Sequence, residues 1–119
     1  MRLNKSTIRK GTMDKLNKYN FISGGYIFDL LDREALQIIN DRFPETKDQQ
    51  IYTYTGFINY EKQLCNTDNI KYRLVYVNYS EIDELYEVFI DLLDGDTQIA
   101  RGEFEFKKAH HNYCETKDK

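Results

Sequence analysis

At 119 residues the chain has room for one domain with one core. A hydrophobic share of 40% against 31% charged excludes a disordered polymer, and the net charge of -3 speaks against a nucleic-acid binder, which needs a basic face. No apolar run approaches the roughly 20 residues needed to cross a bilayer, so no membrane span is expected.

Residues 1–18 lack the central apolar stretch of a signal peptide. Cys65 and Cys114 read as free thiols, and the expected location is cytoplasmic. A weak first strand is expected over residues 3–12. A long helix follows over residues 25–43, where Ile27, Leu30, Leu31, Ala35, Ile38 and Ile39 recur with a 3.6-residue period. Ser23 is placed to cap its start and Pro44 marks its stop.

Four strands are expected after the helix, over residues 51–60, 70–79, 85–92 and 98–107. In the second, Ile70, Tyr72, Leu74 and Tyr76 alternate with Lys71, Arg73, Val75 and Val77. In the third, Tyr86, Val88, Ile90 and Leu92 share a face; in the fourth, Ala100, Gly102, Phe104 and Phe106 do. Asp94-Gly95-Asp96 between the last two is a hairpin signal. Helix-free connections imply antiparallel pairing, so the fold class is α+β, with one helix covering one face of a sheet of about five strands. The expected division is one domain over residues 1–108 and a polar tail over 109–119.

Chemistry concentrates at the start of the helix. Gly24 and Gly25 let a ligand approach the backbone and leave N–H donors at the positive end of the helix dipole, where they suit a developing oxyanion. The same pair also serves a plain loop-to-helix turn. Asp32 stands seven residues beyond Gly25, nearly on the same helix face, as a candidate general base or nucleophile; Asp29 and Glu34 are nearby alternatives. Seven residues of helix span roughly 10 Å, whereas donor and base must each lie within about 3 Å of the reacting atoms. Glycines and Asp therefore serve one carbonyl only if they come from different copies, which predicts a homodimer or larger homo-oligomer.

This stretch resembles the hotdog acyl-CoA thioesterases, whose pattern runs Asn, Gly three residues on, Gly-Gly four later, six residues, and Asp. The matching positions are Asn17, Asn20, Gly24, Gly25 and Asp32, with Asn20 replacing the first glycine and Ser23 standing where Phe or His is usual. Asn59-Tyr60-Glu61-Lys62-Gln63-Leu64 leading to Asp68 is similar to the family's "N-F-x-K-P" and "G-D", with Gln63 and Thr67 as departures. The stretch from Ala100 to Phe106 is similar to its closing "A-x-G-x-F-x-F".

The resemblance covers residues 7–108. It implies a hotdog fold, with the central helix wrapped by a curved sheet, and hydrolysis of acyl-CoA or another acyl thioester. Gly24 and Gly25 would polarise the carbonyl, Asp32 would activate water or attack, and Asn17 would position the thioester or the water. Ser23, Tyr26, Asn59 and Tyr60 are the implied substrate-binding residues.

Where the family carries a basic "G-R-x-S" turn near coenzyme A, this chain has Ser80-Glu81-Ile82-Asp83, whose acids would repel nucleotide phosphates. An acyl carrier protein thioester, another pose of coenzyme A, or a non-catalytic module binding acyl groups or proteins each fits that departure. A hotdog dehydratase would need a His in the site, and His110 and His111 both lie in the tail. With Cys114 they form no complete metal ligand set, so neither metal nor cofactor is expected. The ten tyrosines suit sheet packing, or the lining of an acyl tunnel.

Overall fold

The computed structural model describes Leu16 and residues 21–109. The elements run α1 (Gly24–Arg42), a short 3-10 helix (Pro44–Asp48), β1 (Ile51–Tyr60), β2 (Ile70–Ser80), β3 (Leu85–Asp94) and β4 (Thr97–Lys108). Among the described residues the sheet has four strands, all antiparallel, in the order β1-β4-β3-β2. The weak strand expected over residues 3–12 lies outside them.

The helix starts and stops one residue earlier than its periodicity suggests. Ser23 is extended, and its hydroxyl accepts the Tyr26 N–H at 3.2 Å, so Gly24 becomes the first helical residue. Such a cap contributes about 1 kcal/mol. At the far end Pro44 disfavours helical backbone in the residue before it, and Phe43 has already left the helix with ψ 84°. Ile27, Leu31, Ala35 and Ile39 recur at four-residue intervals and are all buried against the sheet. Each large aliphatic side chain in that stripe contributes about 1.5–3 kcal/mol on leaving water.

The sheet answers with the inward faces of its two central strands. Val88, Ile90 and Leu92 of β3, and Ala100, Phe104 and Phe106 of β4, are almost wholly enclosed. Gly95, at φ 61°, closes the β3–β4 hairpin in the left-handed region that glycine enters without strain.

The alternation expected along β2 holds only as far as Leu74. There the register with β3 slips by one residue, between Leu74 and Tyr76, and the bulge exchanges the two faces. Val77 and Tyr79 then pack on the core, while Tyr76 turns outward onto Phe89 with ring centroids 5.0 Å apart. Tyr76 therefore does not share the face of Ile70 and Tyr72. A similar slip in β1, between Thr53 and Thr55, decides which of its residues look at the helix.

Candidate active site

Four helical residues spaced by four meet β1, which runs beside α1 in the opposite direction. The Tyr60 hydroxyl donates to the Gly24 carbonyl at 2.7 Å. The Phe28 ring fills the space above Gly56, where an added Cβ would lie only 2.8 Å from it. The Thr53 hydroxyl donates to Asp32 at 2.8 Å, and Leu36 and Ile51 line a common cleft. One stripe of α1 thus carries the glycine start, an aromatic plug, the carboxylate and an apolar end along the edge strand of the sheet.

Gly24 and Gly25 hold the first two helical positions, whose N–H groups have no acceptor within a helix. Ser23 takes the next two, its hydroxyl accepting from Tyr26 and its carbonyl from Ile27 at 3.1 Å. The Gly24 and Gly25 N–H groups have no partner among the described residues. They stand beside an open cleft of about 340 Å3, lined by Gly24, Tyr60, Glu61, Lys62 and Gln63. Two unengaged donors at the positive end of a 19-residue helix suit an anionic oxygen.

Asp32 is the acid that faces the edge strand. Of the two alternatives, Asp29 pairs with Arg33 at 3.0 Å on the exposed side. Glu34 looks across the helix towards Tyr72, whose phenol is pushed up chiefly by burial and further by that carboxylate. Asp32 is half-buried.

The expected substrate-binding residues separate. Tyr60 lies at the helix start, its phenol raised by burial. Asn59, its neighbour in an extended strand, must point to the opposite face; it pairs with Arg101 on the side away from the helix. The two therefore do not line one surface of a subunit. Tyr26 packs on the core beside Tyr72 and not into the cleft, because its helical position turns it away from β1. Ser23 is engaged as the helix cap. Asn17 and Asn20 lie outside the described residues, as do His110, His111 and Cys114; Cys65 is exposed and free.

Thr53 drew no attention in the sequence, because only the cross-strand register puts it opposite Asp32. A second polar cluster was also missed. Asp91 of β3 is fully buried on the outer face of the sheet, between Arg101 and Arg73 on the two flanking strands. Arg101 donates to both of its oxygens, at 2.7 and 3.1 Å, and Arg73 donates twice to one of them, at 2.9 and 3.2 Å. The bonds from Arg101 first, and those from Arg73 next, hold the carboxyl below the usual range against the effect of burial.

Three solved structures are among those that share this architecture. A Bacillus halodurans protein crystallised with CoA superposes with a TM-score of 0.66 at 20% identity, over 82% of this chain and 62% of its own. This chain thus spans less than two thirds of that protein's length. A hypothetical thioesterase from Streptococcus pneumoniae with coenzyme A gives 0.60 at 20% identity, over 80% and 70%. A Streptococcus mutans protein bound to acetyl CoA gives 0.57 at 24% identity, over 80% and 72%. No family model and no curated protein matches the chain. Likeness at these identities establishes the fold, which is the hotdog fold: a long helix cradled by a curved antiparallel sheet. No helix among the described residues is long and apolar enough to cross a membrane.

Proposed function

We propose that the chain hydrolyses acyl thioesters at sites shared between two copies paired through β1. The observation that carries this reading is the ladder along α1. The free glycine N–H groups and Asp32 face the same sheet edge, but the Phe28 ring, packed edge-on to Phe104, stands between them. Eight residues of helix separate Gly24 from Asp32 by roughly 12 Å, too far for one carbonyl. An antiparallel β1 pair centred on Phe57, with the bulge between Thr53 and Thr55 taking up one residue, puts Thr53 opposite the partner subunit's Tyr60. Asp32, bonded to Thr53, then comes beside the glycines to which that Tyr60 is anchored. It also covers an edge strand carrying Tyr52, Tyr54 and Phe57 exposed, an aggregation hazard if left open.

In this arrangement the thioester oxygen accepts from Gly24 and Gly25 N–H of one subunit. Asp32 of the other, one carboxylate oxygen held by Thr53, takes a proton from water as the water adds to the carbonyl carbon. The tetrahedral intermediate collapses by breaking the carbon–sulfur bond, and the departing thiolate recovers the proton. Asn17 is assigned to positioning the thioester or the water by its place in the resembling motif. The cleft at Leu36, one helical turn beyond Asp32, is about 480 Å3, is lined also by Asn40, Thr46 and Gln49, and is assigned as the space for one arm of the substrate. Coenzyme A bound to two of the structures sharing the fold supports an acyl-CoA substrate.

The test is release of free thiol from acyl-CoA thioesters of graded chain length by the native protein and by Asp32→Ala. Turnover that collapses in a folded, equally oligomeric Asp32→Ala supports the reading. Turnover indifferent to Asp32 would remove the assignment, and no turnover with CoA or carrier-protein thioesters would leave binding without catalysis.

A further inference from the structure

The cleft at Leu36 changes character along its length. Its near part is walled by Leu36 of α1 and Ile51 of β1, both apolar. Its far part is lined by Asn40, Thr46 and Gln49, uncharged polar side chains gathered where the 3-10 helix gives way to β1. The buried Thr46 hydroxyl lies 2.7 Å from Asn40 Oδ1 and 2.8 Å from the Phe43 carbonyl oxygen. That contact holds one end of the Asn40 amide and leaves the other without a partner among the described residues. Gln49 Oε1 is enclosed and accepts no hydrogen bond among them. A buried acceptor left open costs free energy, which a donor in the cleft returns. The last torsion of a glutamine is soft, so the amide can turn to meet it.

We infer that this cleft takes the acyl arm of the substrate and that the arm ends in a hydroxyl. The substrate class is an aliphatic ω-hydroxyacyl thioester of medium length. The inference deepens the hydrolase reading and rests on it. A hydroxyl both donates and accepts, so one group serves Gln49 Oε1 and the open end of the Asn40 amide. A terminal ammonium would donate as well, but Lys47 at the same cleft repels it. The carrier arm fits less well. A pantetheine puts an amide within a few bonds of the sulfur, where the walls are Leu36 and Ile51.

Two measures of the distance agree. From Asp32 to Asn40 the helix rises about 12 Å, and from Gln49 to Thr53, opposite Asp32, extended chain spans about 13 Å. An extended chain gains about 1.2 Å per bond, so the hydroxyl belongs roughly eight to ten carbons from the carbonyl. A single aromatic ring beside the carbonyl would not reach. An unsubstituted alkyl chain fills the same cleft but displaces water from the amides and returns no hydrogen bond. A site that hydrogen-bonds a substrate hydroxyl discriminates against the analogue lacking it for this reason.

The test compares the CoA thioesters of octanoic and decanoic acid with their ω-hydroxy and ω-carboxy counterparts, on the native protein and on Gln49→Leu. The native protein is expected to favour the ω-hydroxy form about ten-fold in kcat/KM. Gln49→Leu, melting at the native temperature, should bring the hydroxylated and plain forms level. Equal turnover of the two by the native protein, or a preference for the ω-carboxy form, overturns the inference and leaves the hydrolase reading standing. A preference that survives Gln49→Leu overturns it too, since the open acceptor would not be what reads the hydroxyl. If no thioester is hydrolysed, the hydrolase reading fails by itself, and calorimetry with ω-hydroxydecanoic and decanoic acids decides the cleft. Tighter binding of the hydroxy acid, lost in Gln49→Leu, upholds recognition of the hydroxyl; equal binding overturns it.

Discussion

The Thr53 hydroxyl donates to an Asp32 carboxylate oxygen at 2.8 Å, tying the middle of the central helix to the edge strand beside it. One bond sets where the carboxylate points and leaves its second oxygen open. Valine at position 53 would keep the shape and remove the bond. Thr53→Val is expected to lower kcat about ten-fold, equivalent to about 1.4 kcal/mol in the transition state, with KM changed less than about two-fold. Asp32→Ala should lose about 100- to 10,000-fold, the range of a general base. Steady-state kinetics on both variants checks this; an unchanged kcat in Thr53→Val would mean that Asp32 needs no such positioning.

Tyr60 and Gly24 make the other end of the stripe. Removing the hydroxyl in Tyr60→Phe deletes one bond to the Gly24 carbonyl, which keeps its place in the helix ladder, and because Tyr60 is 48% exposed the loss should be about 0.5 kcal/mol, the low end for a hydrogen bond. Gly24→Ala is different. Its Cβ would stand 3.3 Å from the Tyr60 ring and hydroxyl, so the ring must shift and the cleft at the helix start changes shape. The expected result is a raised KM with melting temperature nearly unchanged, read by kinetics and calorimetry together.

Gly56 is closed in from the helix side. A Cβ there would lie 2.8 Å from Phe28 and 3.3 Å from Phe104, two rings already packed edge to face. Gly56→Ala should therefore destabilise the fold by about 1–3 kcal/mol, the usual cost of overpacking. Urea unfolding measures it. Stability equal to native would show that Phe28 moves aside freely, and would weaken the case that it separates the two halves of the site.

Asp91 should give the protein an acid-sensitive component of stability. Its native pKa is lowered, first by the bonds from Arg101, so the native state favours the charged form. That stabilisation is fully present above the ordinary carboxylate value of 3.8 and is lost as the pH falls through the lower native value. Asp91→Asn is expected to cost about 2–3 kcal/mol at neutral pH, the range for hydrogen bonds to a charged group. It should also flatten the stability curve below about pH 4. Chemical denaturation across that range tests both; an acid limb unchanged in Asp91→Asn would assign it to other carboxylates.

Much of the fold could be read from local signals, since Ser23, the apolar stripe, Pro44 and the Asp-Gly turn each act over a few residues. What local signals cannot carry is register. The bulge after Leu74 reversed the faces of half of β2, and nothing in Leu-Val-Tyr-Val marks where an extra residue is accommodated. Asn59 and Tyr60 looked like one binding segment because a motif is read in line, whereas a strand sends neighbours to opposite faces. Nothing local in the sequence singles out Asp91, and only the pairing of three strands brings Arg73 and Arg101 onto it. In the site, spacing along the helix correctly separated Gly25 from Asp32. Periodicity left Asp29 and Glu34 open beside Asp32, the motif resemblance favoured Asp32, and the structure adds that Asp32 is the acid bonded to the edge strand.

The most direct test of a site shared between subunits is complementation. Gly25→Pro removes one oxyanion donor at a helix position where the missing N–H breaks no intrahelical bond. Asp32→Ala removes the base. Each variant alone should be nearly inactive. Unfolded together at equal concentration and refolded, half of the dimers are hybrids, each with one intact site, so about one quarter of native thioester turnover should return. Recovery near that level supports a site built from the glycines of one subunit and the carboxylate of the other. A mixture as inactive as its parents, with hybrids demonstrated by mass, would contradict it and place all the catalytic groups within one chain.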